Sequence, residues 1–325
     1  MSDPMIRRLV ALSVVLALSA LAYVFVDAAG PWDFILPYRL TKLGALLLVG
    51  VALSVATVLF QTITANRILT PSLMGFDALY VLILTGLVHS IGTAGYAGLS
   101  PALLFALNLS AMTGLGLLLF AALMRLARGD MVRLVLTGVV IGLLIRALTE
   151  FLQRLIDPSE FQTVQSMSYA RFTQIDGVLL TVSSGTVLVG LILAWRMRYR
   201  LDVLSLGEAT ATGLGEPPAR LHRLALLTIC LLVASATALA GPLASGNSGP
   251  SSFFGLIVTA FAHIATPTHR HAVLLPAAAL TGGIILVGGQ MLMERVFHLA
   301  TPLTVVIELI GGATFLYLLL KRRAA

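Results

Sequence analysis

The chain has 325 residues, 58% of them hydrophobic and 11% charged, with a formal net charge of +7. A soluble domain carries about 25% charged residues, so this balance excludes an ordinary soluble enzyme. The positive charge does not point to nucleic acid either, because the cations sit in short clusters between apolar runs.

A spanning helix needs about 20 mostly apolar residues. On that rule helices are predicted near 8–26, 40–63, 76–93, 101–125, 131–154, 177–197, 219–241, 252–266, 272–292 and 302–320, ten in all. The first follows Arg7 and Arg8 and resembles a signal-peptide core. No convincing small-residue cleavage site precedes the next span, so it reads as an uncleaved helix. The eighth is short, with a Gly/Ser/Pro-rich loop (Gly241 to Ser252) before it and Pro267 after it. A shortened helix beside irregular backbone at membrane depth lines a cavity or packs inside protein. The expected fold is all-α, a single polytopic membrane domain over residues 1–325.

No loop is long enough to bury a soluble core. A Gly-x-x-x-x-Gly-Lys-Ser/Thr phosphate loop is missing from the sequence. Nucleotide chemistry for uphill transport must then come from another chain. The single cysteine, Cys230, lies in an apolar run, which leaves no intrachain disulfide or thiolate metal site.

Orientation follows from the cations. With the N-terminus inside, the inner face holds Arg7, Arg8, Arg67, Arg125, Arg128, Arg133, Arg196, Arg198, Arg200, Arg220, Arg223, Arg270, Lys321, Arg322 and Arg323. These are fifteen of the 21 Lys and Arg residues. Arg39, Lys42, Arg146, Arg154, Arg171 and Arg295 fall at or near the outer side. The bias supports both termini in the cytoplasm.

It also puts Asp202 to Gly215, D-V-L-S-L-G-E-A-T-A-T-G-L-G, on the cytoplasmic face. Arginines flank this stretch on both sides, and Pro217 and Pro218 stop it. It is too short and polar to span. Either it is a connecting loop holding a short helix, or it is a small helical knob whose Gly and Ala residues let a partner protein pack closely.

Gln61 to Gly75 is a second stretch of interest. A helix ends near Asn66, Pro71 forbids continuation and Gly75 starts a new segment, as in a corner of a membrane bundle. His263, His269 and His271 form a third. Imidazoles can ligate metal, but Pro267 breaks their register and no carboxylate or cysteine is near in sequence. A solvated cytoplasmic turn is favoured and no metal is expected. Arg146, Glu150 and Arg154 share one helical face at i, i+4, i+8. Charges at membrane depth pair or face water, so they form a structural ladder or line a path. Glu308, inside the tenth helix, has no evident partner in sequence and leaves a proton-coupled secondary transporter open.

Four motifs in order resemble one family. Gln61, Asn66, Pro71 and Gly75 fit Q-x-x-x-x-N-P-L-A-x-P-x-x-x-G of the iron-siderophore, haem and cobalamin ABC permeases, the type II importers. Leu206, Gly207, Glu208, Ala211, Leu214 and Gly215 fit the L-G-E-x-x-A-x-x-L-G motif of that family. Phe254 to Val258 fits F-x-G-L-I-V-P-H, and Gly311 fits I-G-x-P. Arg39 and Lys42 sit where the family has R-x-P-R. Arg67, Thr259, Ala260 and Ala313 depart from the family at usual Pro or Pro-His positions, which suggests a divergent branch. The T-H-R-H run at Thr268–His271 is similar to permeases for catecholate-type siderophores.

The resemblance implies a membrane permease, not an enzyme, in a bacterial cytoplasmic membrane and without a cofactor of its own. It implies two ABC ATPase subunits and a second permease chain, identical or different. A solute-binding protein and an iron-chelate substrate complete the set; haem or cobalamin is the alternative cargo. Leu206, Gly207, Glu208, Ala211, Leu214 and Gly215 would couple to the ATPase. Arg39, Lys42 and Arg295 would dock the binding protein, with lipid-headgroup anchoring or local helix pairing, for example of Glu294 with a neighbour, as the plainer alternative. Arg146, Glu150 and Glu308 would stand near the path.

Overall fold

The computed structural model describes residues 3–26, 30–127, 131–172, 175–243, 253–296 and 303–323. Among these the regular elements are all helical. Eight helices are long and apolar enough to cross a membrane: α1 (Asp3–Phe25), α2 (Trp32–Ile63), α3 (Phe76–Gly98), α4 (Pro101–Ala127), α5 (Met131–Gln153), α7 (Gly177–Leu204), α9 (Pro218–Ala240) and α11 (His271–Arg295). Two shorter apolar helices, α10 (Phe254–Ala265) and α12 (Leu303–Arg323), lie at the remaining expected positions. Residues 244–252 of the expected Gly/Ser/Pro loop, Arg128, and the side chains of Lys321, Arg322 and Arg323 lie outside the described residues.

The bundle is built around α2. Its sequence from Lys42 to Ile63 is apolar on all sides, and its buried residues run right round the helix, as in a helix enclosed by others. It packs most heavily on α11, then α9 and α7. The approach to α11 is backbone to backbone. A Cβ on Gly50 would lie 2.9 Å from the Gly282 carbonyl oxygen. Lipid gives no hydrophobic drive between helices, so such small-residue contacts supply the packing.

After α2 the chain makes the expected corner. The Asn66 side chain accepts from the Ile68 amide at 2.9 Å, an Asx turn that replaces helical bonding. A 3-10 turn at Ser72–Met74 follows, capped by Gly75 at φ 95°. A Cβ on Gly75 would stand 2.9 Å from the Cα of Gly142 on α5. Both the left-handed backbone and the lack of space require glycine there. The corner therefore leans into the bundle against the middle of α5.

Two features are not legible as spans. Helix α3 is interrupted at Gly92, and the Thr93 amide freed by the break donates to Glu160 Oε1 at 3.1 Å. Glu160 belongs to α6 (Pro158–Met167), which opens on Asp157 with Pro158 in its first turn. The short helix α8 (Glu208–Gly213) lies in the α7–α9 connection.

Candidate functional site

The α7–α9 hairpin is held from its base. Arg200 grips the Glu216 carboxylate in a fork, Nε at 2.9 and 3.1 Å and Nη2 at 2.6 Å. Charge-assisted bidentate pairs are the stronger class of hydrogen bond. Gly207, at φ 100°, turns the chain into α8. Ala211 is fully buried at 0% exposure, whereas Leu206 and Leu214 are 62% and 64% exposed. The Glu208 carboxylate is also exposed, with His222 Nε2 3.9 Å away. The six motif residues thus divide into outward-facing Leu206, Glu208 and Leu214, inward-facing Ala211, and the turn glycines Gly207 and Gly215.

The same hairpin is tied to the rest of the bundle. Asp202 Oδ1 accepts from the His271 amide at 2.7 Å and lies 2.7 Å from His271 Nδ1. His271 Nε2 is 2.7 Å from Thr62 Oγ1, at the end of α2. Both ring nitrogens are engaged, so α7, α11 and α2 meet at one buried imidazole. His269 Nδ1 lies 3.4 Å from Arg67 Nη2, and His263 ends α10. The three histidines do not converge, and among the described residues no group of three His, Cys, Asp or Glu is placed to hold a metal ion.

A charged cluster lies in the bundle interior. Asp77, in the first turn of α3, is 3% exposed and bonds to Ser72. Arg146 on α5 is 9% exposed and is attracted by Asp77, Glu308 and Glu150. The charge of Arg146 thus also acts on Glu308 of α12. Glu150 and Arg154 share its sequence periodicity, but both are exposed, and Arg154 lies just past the end of α5. Asp77 was not singled out from sequence; its signal is a carboxylate in the apolar turn following Gly75. Nearby, Gln61 Nε2 donates to the Arg67 carbonyl at 2.6 Å and to Thr259 Oγ1 at 3.0 Å. This joins the corner to α10 through the threonine that departs from the motif.

At the opposite end of the bundle α2 begins at Trp32, eight residues before its expected start at 40. Pro31 and Trp32 open the helix and Pro37 is carried inside it, so Arg39 is helical rather than just before the helix, and Lys42 stands in its third turn rather than its first. Lys42 is 4% exposed and pairs with Glu294 of α11 at 2.5 Å. Tyr23 Oη and Gln290 Nε2 donate to the same carboxylate at 3.1 and 2.8 Å. Arg39 Nη1 donates to the carbonyls of Tyr23, Val24 and Val26 at 3.0, 2.9 and 2.9 Å. Arg295 Nη2 donates to Ala22 and Val26 at 3.1 and 2.6 Å. Two arginines thus cap the C-terminal carbonyls of α1, the end where cations meet the helix dipole favourably.

Comparison with known proteins covers the whole architecture. The profile of the FecCD transport family matches residues 6–321. The chain is 37% identical over 312 residues to the petrobactin import system permease protein YclO of Bacillus subtilis, covering 96% of each. It is 31% identical to the petrobactin import system permease protein FatC of Bacillus anthracis, over 88% of this chain and 78% of that one. The Fe(3+) dicitrate transport system permease protein FecD of Escherichia coli is 30% identical, over 89% and 86%. Among solved structures, one described as an inward-facing metal-chelate type ABC transporter superposes with a TM-score of 0.78 at 22% identity, over 98% of this chain and 99% of that one.

Proposed function

The chain belongs to the FecCD transport family, and from that premise we propose that it is the permease subunit of an ATP-driven importer of an iron chelate. It is a transporter component, not an enzyme. One observation carries this: the resemblance to a petrobactin import permease covers 96% of both chains. Related permeases are named for petrobactin, dicitrate and hydroxamate, so the cargo class is a ferric chelate of siderophore type, with the catecholate branch the first to assay.

In this reading α10 and α12 complete ten spans and both termini are cytoplasmic. The α7–α9 hairpin faces two ATPase subunits, and Leu206, Glu208 and Leu214 are the side chains that meet them. The opposite end faces a solute-binding protein, with Arg39 and Arg295 on its rim. A second permease chain completes the path, and Arg146, Glu150 and Glu308 stand beside it. ATP-driven closure of the ATPases then alternates access. The whole sits in a bacterial cytoplasmic membrane.

A proton-coupled transporter using Glu308 is the competing mechanism. The Asp77, Arg146 and Glu308 cluster favours it, because intramembrane acid–base clusters also serve as proton relays. Mass spectrometry of the mildly solubilised complex separates the two. Two ATPase copies and a second permease chain per particle are expected. A chain that purifies alone under all mild conditions would contradict the importer assignment.

A further inference from the structure

Helices α2, α7 and α11 together line a cavity of about 420 Å³. Its walls are Val51 and Val55 from α2, Leu191 from α7, and Leu275, Pro276 and Ala279 from α11. Trp195 and Arg196 of α7 close one end. The lining is apolar except at that end, and Arg196 is exposed there.

The level of this end follows from α7. The helix has 28 residues, about 42 Å at 1.5 Å per residue, against a hydrocarbon core of about 30 Å. Its last turns must leave the hydrocarbon. Those turns carry Arg196, Arg198 and Arg200. Arg198 lies 4.5 Å from the Trp195 ring and 4.3 Å from the Tyr199 ring, an aromatic and cationic pairing typical of the headgroup level. The α11 wall agrees. Leu275 is one turn into α11, beyond the His271 contact with Asp202.

We propose that this groove binds one anionic phospholipid, with an acyl chain against Val51, Val55 and Leu275 and its phosphate at Arg196. An apolar slot opening to lipid at a headgroup-level guanidinium matches both parts of that molecule. Arginine suits a phosphate because its planar fork bonds two oxygens at once, and basic pockets between spanning helices select anionic headgroups. The assignment needs only that α2, α7 and α11 span; it does not depend on the cargo or on which end is cytoplasmic.

The full-length chain carries its own reporter. It has two tryptophans, Trp32 and Trp195, so Trp32→Phe leaves Trp195 as the emitter at the groove. In reconstituted vesicles, phosphatidylglycerol brominated near the glycerol end of its acyl chains is compared with phosphatidylcholine brominated at the same carbons. Half-maximal quenching is expected at a mole fraction about five-fold lower for the anionic lipid, the factor for one basic side chain near a charged headgroup. Arg196→Gln is expected to abolish the preference, and Ala279→Phe, which fills the groove, to weaken quenching by both lipids. The control is Trp195→Phe, which reports from Trp32 at the other end of the bundle, where Arg39 and Arg295 are engaged by carbonyls of α1, and is expected to show a weaker preference. Superimposed curves in the Trp32→Phe protein, an undiminished preference in Arg196→Gln, or an equal preference at Trp32 would each overturn the site. Should Arg196→Gln fail to reconstitute, the two-lipid comparison and the Trp32 control still decide.

Discussion

Lys42 is a cation at 4% exposure, and its amine has one carboxylate to face, Glu294. Removing one partner of a buried pair strands the other charge. Lys42→Ala is therefore expected to cost on the order of 3 kcal/mol. Lys42→Met with Glu294→Gln removes both charges and is expected to recover most of that loss, read as thermal midpoint in nanodiscs. A double variant as unstable as the sum of the singles would contradict the pairing. Arg39 and Arg295 separate charge from geometry. The double Lys variant keeps two cations but loses the guanidinium hydrogen bonds to the carbonyls at the end of α1. It is expected to unfold at lower temperature yet hold a solute-binding protein within about two-fold of wild type, while Arg39→Glu with Arg295→Glu loses docking in a salt-dependent way. Equal docking by all three proteins would remove the docking role. The sequence marks these cations as out of place for their side of the membrane. It offers Glu294 as a pairing carboxylate but not Lys42 as its partner, because the two helices meet only through the packing of α2 on α11.

Element α8 is where the motif residues acquire different jobs. All six are small, apolar or acidic in the sequence, and nothing there distinguishes Ala211 from Leu214. In the fold Ala211 is buried under its own hairpin and the leucines project. Ala211→Leu is thus expected to damage the hairpin itself. Leu206→Ala with Leu214→Ala should leave expression and thermal stability within about 0.5 kcal/mol of wild type while reducing transport-coupled ATP hydrolysis several-fold. Normal coupling in that double variant would move the ATPase contact elsewhere. A parallel division holds on α5. The i, i+4, i+8 spacing does not make one face: Arg146 is buried near Asp77, Glu150 is exposed, and Arg154 lies past the end of α5. Arg146→Ala is expected to destabilise strongly, by about 3 kcal/mol, since the buried Asp77 carboxylate loses a nearby cation. Glu150→Ala is expected to change stability by less than about 1 kcal/mol. The reverse order in a thermal-shift measurement would contradict the cluster. Periodicity suggests which residues share a face; it cannot reveal that the Gly75 corner brings Asp77 near Arg146. Helix α6 was missed for a related reason: six of its ten residues are polar, which leaves too few apolar ones to read as a span, and its use is local, to cap the break at Gly92.

For the whole molecule, the long spans were legible because the hydrocarbon thickness imposes a length that apolar runs either meet or fail. The corner at Gln61 to Gly75 and the hairpin at Asp202 to Gly215 were legible from Gly, Pro and Asn chemistry. Their joining was not, since the Asp202–His271–Thr62 contact links three stretches that are distant in the chain. That contact connects the hairpin to the central helix, which is the mechanical continuity an ATP-driven permease requires. The most direct measurement is uptake of a ferric siderophore into proteoliposomes holding the purified complex. Uptake is expected to require internal or external ATP at the ATPase side together with the solute-binding protein, and to be unaffected by collapsing the proton gradient. Uptake by this chain alone, driven by a proton gradient and abolished by Glu308→Gln, would contradict the account.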